Sequence, residues 1–346
     1  MNKYLTILES AWQDHLKPRE ADAPTVISTF AGAGGSSLGY SMAGFRELLA
    51  VEWDDNAVQT FGLNFPEVPV YHGDIAKLSV DQVLEMTGLK PGELDVFDGS
   101  PPCQGFSTAG KRVMDDPRNQ LFREYVRLLR GLKPKVFVME NVSGMVKGKM
   151  KLIFAEIMRE LKASGYRVSA RLLNAMYFNV PQSRERMIFI GVRDDLGIEP
   201  SHPGAISQPF TVKDAIVGCA ISPRLANSER ITAYWEKLKP GQCVADVDPN
   251  GNGFGAVKIQ PNRYCPTLTK GWTAGTGLMH YSENRFLSDA EIKRIGSFPD
   301  DFVISGSSAN VIQRIGNSVP PLFMRSIAGH IRRDILSRVQ ENSRNG

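Results

Sequence analysis

The sequence predicts an α/β protein with an open, doubly wound and mostly parallel β-sheet and a smaller, loop-rich second domain. Between Val26 and Val192, short apolar runs alternate with helical patterns, as in parallel sheets whose strands are buried on both faces. The first of these runs leads into a glycine-rich turn, which is common where a sheet binds a nucleotide. From about Asp194 the chain becomes rich in Pro, Gly, Asn and Ser, and its periodicity weakens.

The composition is that of a globular protein long enough for two domains. Its 346 residues are 42% hydrophobic and 23% charged, and domains usually hold about 100–200 residues. No apolar run approaches the ~20 residues of a membrane span and no secretory signal is present, so we expect a cytoplasmic protein without a membrane partner. The formal net charge of +4 permits a polyanionic partner without requiring one.

Cysteine usage argues against a metal site or a disulfide framework. The four cysteines are far apart and form no Cys-x-x-Cys pair, so neither kind of site is expected. A reducing compartment would keep a thiol available for chemistry.

A helical pattern precedes the first strand. Tyr4, Leu8 and Trp12 recur at helical spacing and predict one amphipathic helix packed on the main domain. A DNA-reading helix-turn-helix needs at least two helices joined by a turn, and too little chain precedes the first strand for that.

The ends of the first three strands predict a site for an adenosine-containing ligand. The strand Val26 to Phe30 leads into a glycine-rich turn and a helix, whose free N–H groups favour a negative group. The second strand ends at Glu52 and Trp53, where a carboxylate can hold a ribose and an indole can lie on an adenine. The third ends near Asp74, whose carboxylate could accept from an exocyclic amine. These features do not distinguish a dinucleotide from S-adenosylmethionine.

A cysteine and a carboxylate follow two further strands. The apolar strand from Leu94 to Asp98 runs into two prolines, which stiffen the turn carrying Cys103. The next strand, 136–139, ends at Glu140. Because ligands bind at the carboxyl ends of parallel strands, we expect both groups at one edge of the sheet, with Cys103 placed as a nucleophile. A structural cysteine and a capping or surface carboxylate are the alternatives.

Two arginines enter a later apolar strand. Arg184 and Arg186 alternate with other residues at strand spacing, so both are expected to face one side. Their burial is costly unless an anion or a carbonyl oxygen meets them. An ion-pair network with nearby acids is the alternative.

The remaining chain predicts loops and a closing helix. A long surface loop is expected after Cys103, and a helix around 229–238. Ser288 is a good N-cap with Glu291 at the capping-box spacing. The last helix is expected to open at 316–321 and to run to about Val339.

Five motifs in order resemble those of the cytosine-5 DNA methyltransferases, and the resemblance covers nearly the whole chain after residue 25. They comprise a cofactor turn, a nucleophile motif, an acid motif, an arginine motif and a closing motif. In that order they are Phe30-Ala31-Gly32-Ala33-Gly34-Gly35, Pro101-Pro102-Cys103-Gln104-Gly105-Phe106-Ser107, Glu140-Asn141-Val142, Gln182-Ser183-Arg184-Glu185-Arg186 and Gly316-Asn317-Ser318-Val319-Pro320.

The resemblance implies a Rossmann-like class I methyltransferase fold that uses S-adenosyl-L-methionine and acts on double-stranded DNA. The large catalytic domain would comprise 1–193 and about 310–346. The small target-recognition domain would comprise about 194–309, with DNA in the cleft between them. A monomer is expected, with possible pairing to a restriction endonuclease.

The same matching assigns the cofactor-binding residues. Phe30 would stack on the adenine, Glu52 would hold the ribose hydroxyls, and Trp53 would contact the adenine. Asp74 and Ile75 would read the edge of the adenine. The residues implied to form the turn, line the pocket or close the methionine side are Ala31, Gly32, Gly34, Gly35, Pro102, Leu121, Asn317 and Val319.

The matching also assigns the chemistry. Cys103 would add to carbon 6 of a flipped-out cytosine, and Glu140 would protonate ring nitrogen 3. Arg186 would contact the 2-oxo group, and Arg184 would support it. The residues expected to contact DNA are Gln104, Ser107, Lys111, Arg112, Thr267 and Leu268.

Two departures from the family and three rival functions accompany this assignment. Ala31 stands where serine is common, and Ala109 stands where some members carry a serine that fills the space of the flipped base. A methyltransferase acting on RNA is the main rival, but the transfer-RNA branch usually has proline at the position of Gly105. The others are a catalytically silent DNA-binding regulator and a nicotinamide dehydrogenase, and neither explains the full set of motifs.

Overall fold

A seven-stranded sheet carries the site residues. The computed structural model describes residues 2–102, 120–146, 150–221, 233–253, 255–271 and 277–345. The strands are β1 (Thr25–Thr29), β2 (Arg46–Glu52), β3 (Val70–His72), β4 (Val96–Gly99), β5 (Val136–Val142), β6 (Tyr166–Asn174) and β7 (Glu185–Arg193). They lie in the order β3-β2-β1-β4-β5-β7-β6. The first five are parallel, whereas β7 is antiparallel to both β5 and β6, which confirms the predicted mostly parallel sheet.

Helices cover both faces of this sheet. Those in the first part of the chain are α1 (Lys3–Leu16), α2 (Gly35–Met42), α3 (Asp55–Asn64), α4 (Val80–Thr87), α5 (Gln120–Leu132) and α6 (Met150–Lys162). Neighbouring residues of β1 point to opposite faces: Val26 belongs to the core cluster that includes α1 and α2, and Ile27 to the cluster that includes α4, α5 and α6. The doubly wound architecture is therefore confirmed.

The helix predicted at the start of the chain is α1. The Asn2 side chain accepts hydrogen bonds from the N–H groups of Tyr4 and Leu5 and so caps it. Tyr4, Leu8 and Trp12 are buried, as their spacing predicts. None of the described helices is both long and apolar enough to cross a bilayer.

The closing helix begins at Pro321, the last residue of the range expected to open it. Gly316 and Asn317 end a helix, α9 (Ser308–Asn317), and the next helix, α10, is Pro321–His330. A π-helical segment (Ile331–Leu336) and α11 (Ser337–Asn345) continue it. The physical reason is proline: Pro320 and Pro321 have no N–H to donate to α9, but proline is favoured in the first turn of a new helix.

Residues 194–309 contain short elements joined by loops. These are α7 (Val212–Ile216), β8 (Ala256–Lys258), β9 (Gly277–Met279) and α8 (Asp289–Ile295). The predicted capping box is present, with the Ser288 N–H donating to Glu291 at 2.6 Å. Of the helix predicted at 229–238, residues 233–235 are helical and 229–232 lie outside the described residues. The division into two domains stays a prediction.

Candidate active site

The turn between β1 and α2 has an unusual backbone. Phe30, Gly32 and Gly34 have φ angles of 56°, 56° and 91°, in the left-handed region. The N–H of Gly34 donates to the carbonyl of Ala31 at 3.0 Å and closes the turn. Glycine adopts this conformation freely, whereas a phenylalanine there costs about 1–2 kcal/mol. The four predicted cofactor residues at 30, 31, 32 and 34 thus form one tight, strained turn.

At Gly35, helix α2 contacts the closing segment of the chain, which we define as residues 316–320. A Cβ atom on Gly35 would lie 2.5 Å from the carbonyl oxygen of Val319 and 2.9 Å from the Cβ of Ser318. Only glycine permits this approach. Asn317 is exposed and Val319 is buried. The fold therefore joins the predicted cofactor turn to the predicted methionine side of the pocket.

The Glu52 carboxylate ties the end of β2 to the turn after β1. Its Oε2 accepts from the N–H of Gly32 at 2.7 Å, and its Oε1 accepts from the N–H groups of Trp53 and Asp54 at 2.8 and 3.0 Å. An ionised carboxylate has about four lone-pair positions. Three backbone bonds orient the group and leave capacity for one ligand donor.

The other predicted cofactor residues lie around this edge of the sheet. Trp53 is 77% exposed, so its indole face is available to a ligand. Asp74 is exposed and accepts from the N–H of Ala76 at 3.0 Å, while Ile75 is buried. Glu52 is paired with His72 in the sheet, so Trp53 and Asp74 follow adjacent strand ends. Leu121, in the first turn of α5, is half-buried, and Pro102 after β4 is exposed.

On the other side of the edge, Glu140 forms an ion pair with Arg186. The distance from Arg186 Nε to Glu140 Oε1 is 2.6 Å, and both side chains are largely buried. The Arg186 Nη1 also donates to the carbonyl of Glu185 at 2.7 Å. The strands explain the meeting, because antiparallel pairing places Arg186 opposite Val142, two residues from Glu140.

The two arginines have different partners. Arg184 is 2% exposed and donates to the carbonyl oxygens of Leu268 and Gly316, each at 3.0 Å. Burial, together with the neighbouring charge of Arg186, lowers the pKa of Arg184 to about 9. The sequence left open whether these arginines meet carbonyl oxygens or acidic side chains. Arg184 binds carbonyl oxygens, and Arg186 binds a carboxylate.

The Thr267–Leu268 pair is bound to the arginine motif. The Thr267 hydroxyl donates to the carbonyl of Ser183 at 2.6 Å, and the Leu268 N–H donates to the side chain of Gln182 at 3.0 Å. Gln182 is buried and holds no predicted role beyond its place in the motif. The arrangement fixes a predicted DNA-contacting pair against the strand that carries Arg186.

Two acidic residues, the buried Asp98 and the half-buried Glu47, accept hydrogen bonds from side chains of α2. Asp98 in β4 accepts from the Tyr40 hydroxyl at 3.2 Å, and Glu47 in β2 accepts from the Ser37 hydroxyl at 2.9 Å. Burial raises the pKa of Asp98 well above its usual range, and the charge of Glu47 adds to the effect. Burial also raises the pKa of Glu47 to about 7. A lone carboxylate in an otherwise apolar strand is the sequence signal that could have identified Asp98.

One group of predicted residues lies outside the described residues. It contains the nucleophile and four expected DNA contacts: Cys103, Gln104, Ser107, Lys111 and Arg112. The chain on either side is described. The side-chain amide of Asn141, next to Glu140, donates to the carbonyl of Pro101 at 3.1 Å. This bond joins the strand end that carries Glu140 to the chain entering the cysteine motif. Among the described residues, no cluster of three or more His, Cys, Asp or Glu could hold a metal.

Sequence comparison finds one family along most of the chain. The family of C-5 cytosine-specific DNA methylases matches residues 24–333. The chain is 38% identical over 323 residues to the Type II methyltransferase M1.HphI of Haemophilus parahaemolyticus, covering 88% of this chain and 85% of that protein. It is 31% identical over 377 residues to the Type II methyltransferase M.XorII of Xanthomonas oryzae pv. oryzae, covering 92% of this chain and 87% of that protein.

Solved structures have the same fold. A crystal structure described as a DNA modification methyltransferase encoded within an E. coli prophage superposes with a TM-score of 0.74 at 26% identity, covering 94% of this chain and all of that one. Spodoptera frugiperda DNMT2 superposes with a TM-score of 0.63 at 18% identity, covering 92% of this chain and all of that one. The second likeness concerns the fold alone.

Proposed function

The chain belongs to the C-5 cytosine-specific DNA methylases and is a DNA cytosine-5 methyltransferase, and on this premise we propose how it acts. It transfers the methyl group of S-adenosylmethionine to carbon 5 of a cytosine that is flipped out of duplex DNA at a specific sequence. The reaction passes through a covalent adduct between Cys103 and carbon 6. The ion pair between Glu140 and Arg186, at the edge of the sheet where the cysteine turn begins, is the observation that carries this proposal.

The residues at the cofactor edge fit S-adenosylmethionine. At Gly35, where a Cβ would strike Val319, the first turn of α2 lies in direct contact with residues 318–319, so the two predicted sides of the pocket meet there. Glu52 retains capacity for a ribose hydroxyl, and the exposed indole of Trp53 offers a face to an adenine. When bound, the cofactor supplies an electrophilic methyl group on a sulfonium.

The side chains then divide the work at the cytosine ring. The Cys103 thiolate forms a bond to carbon 6 while Glu140, as the protonated carboxylic acid, gives its proton to ring nitrogen 3, so that carbon 5 becomes nucleophilic. Glu140 is then left as the carboxylate that pairs with Arg186. Arg186 stabilises charge at the 2-oxo group, and its ion pair with Glu140 keeps the two groups side by side. After methyl transfer, the carbon 5 proton leaves to water, the carbon–sulfur bond breaks, and nitrogen 3 returns its proton to Glu140. A stacked base cannot reach these groups, which is why flipping is part of the proposal.

The proposal extends to partners and place of action. Residues 194–309 form the target-recognition domain, and Gln104, Ser107, Lys111, Arg112, Thr267 and Leu268 contact the DNA. The relatives named above are called Type II methyltransferases, which supports pairing with a restriction endonuclease. The protein acts as a monomer in the cytoplasm, where its DNA substrate and a reduced thiol are both found.

Methyl transfer from labelled cofactor to duplex DNA, with transfer RNA in parallel, tests the substrate. Label in DNA is expected, and label in RNA alone would contradict the proposal. Duplex DNA containing 5-fluorocytosine at the target tests the adduct, because fluorine cannot leave as a proton does. Wild-type protein should be trapped on it, and Cys103→Ala should bind DNA and cofactor without trapping or transfer. Trapping of Cys103→Ala would exclude this cysteine as the nucleophile.

A further inference from the structure

Arg314 in α9 is a buried arginine with one acidic partner. Its side chain is 6% exposed, and its Nη2 lies 2.9 and 3.0 Å from the two carboxylate oxygens of Asp54. The Nε is buried and has no hydrogen-bond partner among the described residues. Burying a guanidinium with so few bonds is a weak way to gain stability. The placement of the pair therefore calls for a second explanation.

Asp54 leads directly to the cofactor edge. Its N–H donates to Glu52 Oε1 at 3.0 Å, and its own carboxylate caps α3 by accepting from the Ala57 N–H at 2.9 Å. Although burial acts in the opposite direction, the bonds from Ala57 and Arg314 lower the pKa of Asp54 below its ordinary value. A charged, doubly anchored Asp54 holds the chain that presents Glu52 and Trp53.

The other end of Arg314 leads to the closing segment. Its carbonyl oxygen accepts from the Ser318 N–H at 3.1 Å and from the Ser318 hydroxyl at 2.7 Å. Ser318 and Val319 are the residues that pack on Gly35. One residue thus joins the ribose side of the pocket, through its side chain, to the methionine side, through its backbone.

The docking of α3 against the chain before α9 does not depend on Arg314. The Asn64 side chain donates to the carbonyl of Val303 at 2.7 Å and accepts from its N–H at 2.8 Å. Asn56 donates to the carbonyl of Ser305 at 2.9 Å, and the Ser305 N–H donates to Thr60 at 3.1 Å. These four bonds keep the two segments together when Arg314 is replaced. Loss of Arg314 should therefore loosen the pocket without separating the elements.

We propose that Arg314 is a positioning residue for S-adenosylmethionine, which fixes the spacing between the ribose-binding and methionine-binding sides of the pocket through Asp54. The inference rests on the proposed cofactor site. It assigns to α9 a role in cofactor affinity and leaves the chemistry at the cytosine to the other side of the sheet edge.

The test compares Arg314→Met with Arg314→Lys and Asp54→Asn. Cofactor affinity is measured by calorimetry with S-adenosylmethionine and with S-adenosylhomocysteine, and KM and kcat are measured on duplex DNA. Arg314→Met should weaken binding and raise the cofactor KM about tenfold, the loss expected for one charged hydrogen bond. The kcat at saturating cofactor should stay within about threefold. Because only one nitrogen of Arg314 meets Asp54, the lysine variant should recover much of the affinity, and the Arg314→Met/Asp54→Asn double variant should be no weaker than the single variants.

Arg294→Met is the matched control. Arg294 also lies in a helix near the end of the chain, and it pairs with Asp300 at 2.6 and 2.8 Å. The Arg294→Met variant should be less stable than wild type and should bind the cofactor with unchanged affinity. Equal affinity of wild type and Arg314→Met would overturn the inference, as would an equal loss in Arg294→Met. Failure of the wild-type protein to bind S-adenosylmethionine would instead overturn the proposed function.

Discussion

The two sides of the sheet edge hold their groups by different means. On the side proposed to bind the cofactor, backbone atoms dominate: Glu52 accepts three N–H bonds, and Gly35 packs on the carbonyl of Val319. On the side proposed to bind the cytosine, charged side chains dominate, with Glu140 on Arg186 and Arg184 on two distant carbonyl oxygens. The cofactor side is therefore sensitive to added atoms, and the cytosine side is sensitive to lost charge.

The largest effect is expected from Glu140→Gln. The amide cannot donate a proton as an acid does, and it gives up the charge that faces Arg186, so methyl transfer should slow about 100- to 10,000-fold. Cofactor affinity should change little, because Glu140 lies on the other side of the edge. Single-turnover rates and calorimetry measure the two quantities. A variant with impaired cofactor binding and a normal transfer rate would contradict the division.

Arg184→Met should mainly affect folding. It leaves the carbonyl oxygens of Leu268 and Gly316 buried without their donor, and the free energy of unfolding should fall by about 3 kcal/mol. Arg186→Met is the comparison. Arg186 is more exposed than Arg184, and its acidic partner Glu140 can take up a proton when left alone, so this variant should lose activity with a smaller loss of stability. Urea denaturation measures both. Equal stability losses would show that the two arginines do not differ as their contacts indicate.

Gly35→Ala tests the sensitivity to added atoms. The new methyl group would meet the Val319 carbonyl at 2.5 Å, so the pocket must open and cofactor affinity should fall about tenfold. Gly62→Ala is the control, because a Cβ at this position in α3 meets nothing within 4 Å. Calorimetry with S-adenosylmethionine decides the matter. An unchanged affinity in Gly35→Ala would mean that the pocket is less tight than described.

The smallest effect concerns pH and Glu47, whose carboxylate accepts from Ser37 of α2. Glu47 ionises near 4.5 when unfolded and at about 7 in the fold, so the folded protein keeps this proton longer and wild-type stability falls as pH rises between these values. Glu47→Gln lacks this loss. Between pH 5 and pH 8, the free energy of unfolding of Glu47→Gln should rise by about 1–3 kcal/mol relative to that of wild type, as measured by urea denaturation. Glu67→Gln, at an exposed glutamate, is the control. No pH dependence of the difference would contradict the burial of a charged Glu47.

Local patterns sufficed for the sheet and for the residues at strand ends. Apolar runs predict β1, β2, β4, β5 and β7, and a polar residue after a parallel strand must reach the same edge, which is why Glu52 and Glu140 could be found. The order of the five sequence motifs indicated the family, which the sequence comparison confirms. The two prolines after Val319 mark where the closing helix begins, whereas the helix that ends at Asn317 was not predicted.

Long-range pairing is what the sequence leaves open. Arg184 meets oxygens 84 and 132 residues away, and Arg314 meets Asp54 across 260 residues. No spacing rule selects these partners, because they depend on how loops return to the sheet. The same holds for Asp98 and Glu47, whose burial is decided by α2 packing over them.

The reach of Arg184 has a consequence for how the protein is made. Its partner Gly316 leaves the ribosome 132 residues later, a delay on the order of ten seconds at cellular rates of synthesis. Throughout that interval the chain just before β7 carries a guanidinium that has not met one of its acceptors, and α10 and α11 are still missing from the core. A nascent chain thus carries Glu140, Arg184 and Arg186 long before the segment that completes the contacts of Arg184 has been synthesised.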